Sequence, residues 1–140
     1  IDGSTSTAAG AACVGEEMTV LITGDMSFSY DVNGLSSTYL SPRFKIIVMC
    51  NGGGGIFRFI KPTSDLPELE TCFEIHRDIS VEKYADLFGL RYFELNDEKS
   101  AAEVLSLFFA EKDRPAILAV HTPNVYNAEV LRGYFRRSRQ

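Results

Sequence analysis

The chain has 140 residues, 45% of them hydrophobic and 24% charged, the balance of one ordinary globular core. A net charge of −5, with basic residues gathered only in the last segment, argues against a nucleic-acid partner. No apolar run reaches the length of a membrane span, and Cys13, Cys50 and Cys72 are odd in number and scattered, which predicts reduced thiols in a cytoplasmic protein rather than a disulfide framework.

In chain order, residues 1–4 read as a turn, and the abrupt Ile1-Asp2-Gly3 opening predicts a piece of a longer protein. Thr5 to Val14 read as a helix of small residues, suited to close packing against a neighbour. Met18 to Thr23 and Phe44 to Cys50 are short β-branched runs bounded by polar turns, which predicts buried parallel strands. Between them, Asp25 to Leu40 read as a turn leading into a helix with Phe28, Val32 and Leu35 as its apolar stripe, closed by Pro42; Asp31 is assigned to the surface. After the glycine run 52–55, the apolar stretch Ile56 to Ile60 is expected either to be buried or to line that loop. Lys61 to Asp78 hold two prolines and no clear period, which predicts an irregular connection.

Ser80 reads as the cap of a helix carrying Val81, Tyr84, Ala85 and Phe88, stopped by Gly89. Arg91 to Leu95 make a third strand. Ser100 and Glu103 read as a capping box on a helix whose inward stripe is Ala101, Val104, Leu105 and Phe108. Pro115 to His121 make a fourth strand, and Val130, Leu131 and Tyr134 mark a last helix ending in Arg136, Arg137 and Arg139, which complement its C-terminus and solvent. This alternation predicts a three-layer α/β/α domain with a mainly parallel sheet covered on both faces.

Ligands of open parallel sheets sit beyond the carboxyl ends of the strands. Asp25 follows the first strand and Asn51 the second, so the two are expected to aim at one point. A carboxylate, an amide oxygen and a backbone carbonyl of the glycine loop are hard donors suited to magnesium, which completes its shell with phosphate oxygens and water. Gly52 to Gly55 let backbone press close to a phosphate. The residues therefore read as a magnesium-diphosphate site. A dinucleotide fingerprint fails at Phe57 or Arg58, and no Gly-Lys-Ser/Thr triplet completes a P-loop. Cys50 reads as core. His76 and His121 lack a triad-like partner motif and read as structural or surface residues, and Glu16-Glu17 as a solvated turn.

Gly24-Asp25-Met26-Ser27 followed by Asn51 resembles the metal-diphosphate motif of thiamine-diphosphate-dependent enzymes, Gly-Asp-Gly with a later Asn-Asn. Met26 stands where the common form has glycine, and Cys50 where it has the first asparagine. With Ile1-Asp2-Gly3, Ser6-Thr7-Ala8, Asp31-Val32-Asn33-Gly34-Leu35 and Asn51 to Phe57, the motif is similar to one branch, the menaquinone-pathway 2-succinyl-5-enolpyruvyl-6-hydroxy-3-cyclohexene-1-carboxylate synthases. The likeness is dense as far as about Thr63. It implies that residues 1–140 form the C-terminal diphosphate-binding (PP) domain of a thiamine-diphosphate-dependent transferase. Asp25, Asn51 and the Gly53 carbonyl would hold Mg2+; Gly24, Met26 and Ser27 would lie against the diphosphate, and Ile56 and Phe57 would line the cofactor.

The resemblance further implies that the whole enzyme decarboxylates 2-oxoglutarate and adds the succinyl-semialdehyde unit to isochorismate. Its activating glutamate would sit on a pyrimidine-binding domain of a partner subunit, outside this chain, in a homodimer or homotetramer. No catalytic residue is expected here, and the 140 residues alone are expected to be inactive. Acetolactate synthase or a 2-oxoacid decarboxylase is the alternative within the same cofactor class, opposed by Met26 and the four-glycine run. A receiver-like signalling domain with Asp25 as phosphoacceptor would want an acidic pair and a strand-end lysine, and neither is evident. A non-catalytic nucleotide-binding module is disfavoured by the failed fingerprints.

Overall fold

The computed structural model describes residues 2–74, 76–77 and 79–137. Ile1, Asp78 and Arg139, named above, lie outside the described residues. The chain forms two compact units, Ile1–Cys50 with Ile79–His121 and Asn51–Asp78 with Thr122–Gln140.

The first unit is built on four strands, β1 (Thr19–Gly24), β2 (Phe44–Cys50), β3 (Arg91–Leu95) and β4 (Ala116–His121), all parallel in the order β1-β2-β4-β3. One face carries Ile46, Val48, Ile117 and Ala119. It is covered by α1 (Ser4–Val14), α2 (Asp25–Tyr30) and α4 (Val81–Phe88) through Ala9, Ala12, Phe28, Val81 and Ala85. The other face carries Ile47, Phe93, Ala116 and Leu118 under α5 (Ala101–Ala110), whose Phe108 is fully buried. This is the three-layer α/β/α arrangement expected from the alternation of strand and helix. Coverage of the second face is partial. Val20 and Ile22 of β1 are 43% and 67% exposed, because α5 packs over β3 and β4.

Local chemistry sets the helix ends. Ser80 Oγ accepts the Lys83 amide at 3.3 Å, and Gly89 closes α4 in the left-handed region at φ 70°, its position free of the Cβ penalty. The capping box expected at Ser100 and Glu103 is not formed. Asp97 instead accepts the amides of Lys99 at 2.7 Å and Ser100 at 3.2 Å, capping a 3-10 turn, Glu98–Ser100, that leads into α5. The segment expected to be one helix over Asp25 to Leu40 is two pieces, α2 and a 3-10 turn Val32–Ser36. The expected stripe survives the break, with Phe28 and Leu35 buried and Val32 packed against the same core.

Asp31 at that break is a tether rather than a bystander on the surface. Its carboxylate accepts the Ser6 amide at 2.8 Å and the Ser6 hydroxyl at 2.5 Å, so an acidic group sits in the first turn of α1 where the helix dipole favours it. Gly34 makes the approach possible, since a Cβ there would lie 2.7 Å from Ser6 Cα. These bonds, the Ser6 hydroxyl first, hold the Asp31 carboxyl below its ordinary 3.8. A carboxyl lowered on folding stabilises above its unfolded value, and that contribution is lost as pH falls through the folded value. Amide exchange in α1 should therefore rise below about pH 4, and Asp31→Ala should show the same loosening at pH 7, with a cost of about 1 kcal/mol for a half-exposed charged hydrogen bond.

In the second unit, the expected irregular connection contains a short helix α3 (Lys61–Ser64), with proline in its first turn, and a π-helical turn Leu69–Glu74. A 3-10 turn, Gly55–Arg58, precedes them, and α6 (Asn124–Arg137) packs on that turn. Arg58 is the unit's central cation. Its Nη2 donates to Glu70 and to the fully buried Glu74 at 2.7 Å each, with Nε 2.5 Å from Glu74 Oε1. Arg132 of α6 donates to the Arg58 carbonyl. The last helix marked by Val130, Leu131 and Tyr134 is present, with Val130 and Tyr134 49% and 60% exposed and Ala128 buried.

Candidate functional site

In the first unit, the register pairs Gly24 with Met49 across β1 and β2. Asp25, one residue past Gly24, and Cys50, one residue past Met49, therefore reach the same level at the carboxyl edge. Asp25 opens α2 and is only 3% exposed; its Oδ1 accepts the Met26 amide at 2.8 Å. Ser27 sits one residue further, in the first turn of α2, and Ser29 Oγ donates to the Met26 carbonyl at 2.9 Å. The turn is thus held by its own side chains.

Cys50 continues a row of polar residues along one sheet face. It is in register with His121, whose Nε2 lies 3.1 Å from Glu94 Oε1, and Tyr92 OH donates to the same oxygen at 3.2 Å. Burial first, and the Asp25 carboxylate second, push the Cys50 thiol from 9.0 up to about 11. Burial, with Glu94 beside it, also raises the Tyr92 hydroxyl. Cys50 packs partly against the core, as expected of it, whereas Cys13 and Cys72 are exposed. A rise to about 11 lowers the thiolate population at pH 8 roughly a hundredfold against an ordinary thiol. Mass spectrometry after brief iodoacetamide treatment of the folded chain should find Cys13 and Cys72 labelled and Cys50 protected.

In the second unit, Asn51 Oδ1 accepts the Gly53 amide at 3.2 Å, and the Gly53 carbonyl accepts the Gly55 amide at 2.9 Å. Gly52 and Gly53 have φ of 81° and 152°, a conformation that favours glycine. The loop is laced to the residues after it, Gly54 N donating to the Glu74 carbonyl at 2.7 Å and Arg77 N to the Gly52 carbonyl at 3.1 Å. A Cβ on Gly54 would lie 2.9 Å from the Phe73 carbonyl. The apolar stretch that follows is not buried: Ile56 and Ile60 are 60% and 42% exposed, and Phe57 rests on the Phe73 ring at 5.5 Å. The tight 3-10 turn holds these side chains out instead of folding them into a core.

The donor set expected for magnesium, one carboxylate, one amide and one carbonyl, is chemically suited to that ion. Among the described residues no three His, Cys, Asp or Glu side chains gather as a metal cluster. His76 is an exposed partner of Glu74 at 3.7 Å, and Glu16 and Glu17 are exposed, as the sequence indicated.

Two internal charges escaped the sequence reading. Lys45, inside β2, is fully buried, with Nζ donating to the carbonyls of Glu111 at 2.7 Å and Pro42 at 3.0 Å, and burial lowers its pKa. It closes the end of α5 against the start of β2 and takes no place at the carboxyl edge. The other is Glu74 with Arg58. A lone lysine in an otherwise apolar strand was the available signal for the first; the second left none.

The parallel sheet with helices on both faces makes this an α/β domain, a class in which ligands commonly sit beyond the carboxyl ends of the strands. No family model matches the chain. It is 48% identical over 135 residues to a 2-succinyl-5-enolpyruvyl-6-hydroxy-3-cyclohexene-1-carboxylate synthase of Porphyromonas gingivalis, covering 96% of this chain and 23% of that protein. Synthases of the same name from Flavobacterium johnsoniae and Christiangramia forsetii are 43% and 39% identical over 136 and 135 residues. They are matched over 97% and 96% of this chain, and 24% and 23% of their own length. The chain is homologous to a segment of these synthases and spans about a quarter of their length.

Proposed function

We propose that residues 1–140 are the thiamine-diphosphate-binding (PP) domain, and a C-terminal part, of such a synthase. The observation that carries this reading is the similarity spanning 96% of the chain to proteins named for one reaction. The name common to these relatives also favours this reading over an acetolactate synthase or a 2-oxoacid decarboxylase. The Gly24–Met49 register, which brings the end of the Gly-Asp strand level with the end of the strand leading to Asn51, supports it.

On this reading Asp25, Asn51 and the Gly53 carbonyl hold Mg2+, and Gly24, Met26 and Ser27 line the diphosphate, with Ile56 and Phe57 beside the cofactor. Thiamine diphosphate, when bound, supplies carbanion stabilisation, and the protein supplies position and electrostatics. Asp25 contributes the one full negative charge of the donor set, held in place by the Met26 amide. The glycine loop contributes backbone that can approach a phosphate without side-chain interference. The whole enzyme would act on 2-oxoglutarate and isochorismate as a cytoplasmic homodimer or homotetramer. Its activating glutamate would come from the pyrimidine-binding domain of another subunit. Among the described residues no helix is long and apolar enough to cross a membrane.

Calorimetric titration of the chain with thiamine diphosphate and magnesium, beside an assay with 2-oxoglutarate and isochorismate, tests the reading. Weak, magnesium-dependent binding and no turnover are expected, because affinity follows enclosure and half a cleft encloses little. Binding indifferent to magnesium would overturn the metal assignment, and carboligation by the chain alone would overturn the missing-domain argument.

A further inference from the structure

The second unit carries a groove that the cofactor reading does not use. It runs between α3 and α6, has a volume of about 800 Å³, and is floored by Phe59, Leu131 and Phe135. Its rim bears Lys61, Arg132 and Arg136 against a single carboxylate, Asp65. Three cations facing one anion leave a net positive rim over an aromatic floor. Among the described residues none of the three cations forms an ion pair. Arg132 and Arg136 are steadied by neutral backbone carbonyls, those of Arg58 and Arg132, which fix the side chains without cancelling their charge. Ser64 adds a hydroxyl on the same wall.

We infer that this groove binds a small organic anion with a flat apolar body, a class to which aromatic carboxylates belong. The chemistry is complementary on both counts. Phenylalanine faces accept a planar apolar ring by stacked or edge contacts, and guanidinium groups offer forked donors that match a carboxylate. The volume lies in the range of small-molecule sites, which combine apolar walls with a few placed polar groups. All of the lining residues belong to one unit, so the site is complete within it. The inference is independent of the thiamine-diphosphate reading, since it involves neither Asp25 nor the glycine loop.

The test uses biphenyl-4-carboxylate as the probe and biphenyl-4-methanol, its neutral counterpart, as the control. Both are titrated into the 15N-labelled chain and followed by amide shifts. The acid should bind more tightly than the alcohol, with the largest shifts at Phe59, Lys61, Ser64, Leu131 and Phe135. Lys61→Glu with Arg136→Glu should weaken the acid roughly tenfold, the sum of several exposed charge contributions, while leaving the alcohol unchanged. Both substitutions lie on exposed positions, and the circular dichroism spectrum should be retained. Should the double variant fail to fold, raising salt from 20 to 300 mM with the unaltered chain reads the same term, because screening weakens only the acid. Equal affinity for acid and alcohol, shifts clustered outside the groove, or acid binding indifferent to both charge reversal and salt would overturn the inference. So would self-association of the chain through this face with the acid excluded.

Discussion

Arg58→Ala should destabilise the second unit by about 3 kcal/mol, the low end for breaking a buried ion pair, because Arg58 keeps 16% of its side chain exposed. The cost arises from what is left behind. Glu74 is fully buried and would hold a carboxylate with its guanidinium partner gone. Arg58→Lys should recover part of the loss, since one ammonium cannot bridge Glu70 and Glu74 with the same fork. Arg58→Ala combined with Glu74→Gln should be milder than Arg58→Ala alone, as no buried carboxylate has then lost its guanidinium. Hydrogen exchange at residues 69–74, read beside the strands of the first unit, checks this: accelerated exchange confined to the π-helical turn is expected. An unchanged turn would show that the Arg58 pair carries little.

The second large effect is expected at Asp25. In the intact enzyme, Asp25→Asn should weaken magnesium-dependent retention of thiamine diphosphate by at least about a hundredfold, since even partners outside a metal's ligand shell are worth ten- to a hundredfold. Asparagine keeps the shape of the side chain at the start of α2, where Asp25 accepts the Met26 amide, so the fold should persist. The buried thiol next to it offers an internal control. Asp25's charge contributes to raising Cys50 to about 11, so the substitution should bring that thiol down. A folded variant with lowered Cys50 pKa and normal cofactor binding would remove Asp25 from the metal site.

The strands were legible because each is a short run of β-branched or aromatic residues closed by polar or glycine residues, and the structure places all four within a residue of the boundaries read from sequence. The helix α4 was legible for the same local reason, its Ser80 cap and Gly89 stop being side-chain and backbone chemistry within one turn. Residues 61–74 were not, because their order is borrowed. Glu74 is paired with Arg58, sixteen residues earlier, and its carbonyl accepts the Gly54 amide. Ser100 was misread because Asp97 takes the Ser100 amide that Glu103 would have accepted, and the Ser100 hydroxyl donates back to Asp97. Of the candidate site, the donor types and their positions after β1 and β2 were visible in the residues. Their reading as a magnesium-diphosphate site came from that donor set and the glycine run, whereas the assignment to thiamine diphosphate came from family likeness, since a carboxylate at a strand end is by itself chemically unspecific.

The insertion of β4 between β2 and β3 has a consequence for synthesis of the chain. Lys45 and Ile46 of β2 find their second partners in Ala116 and Ile117, so the central strand emerges from the ribosome long before its neighbour exists. Until then β2 presents an open, apolar edge, the kind of surface that recruits wrong partners or chaperones. Closure of the sheet waits for a distant loop to shut, which slows folding in proportion to the separation of the paired residues. A stop codon or ribosomal pause placed before Ala116 should therefore yield a protease-sensitive chain with β1 and β2 already made, whereas one placed after His121 should release a protected sheet.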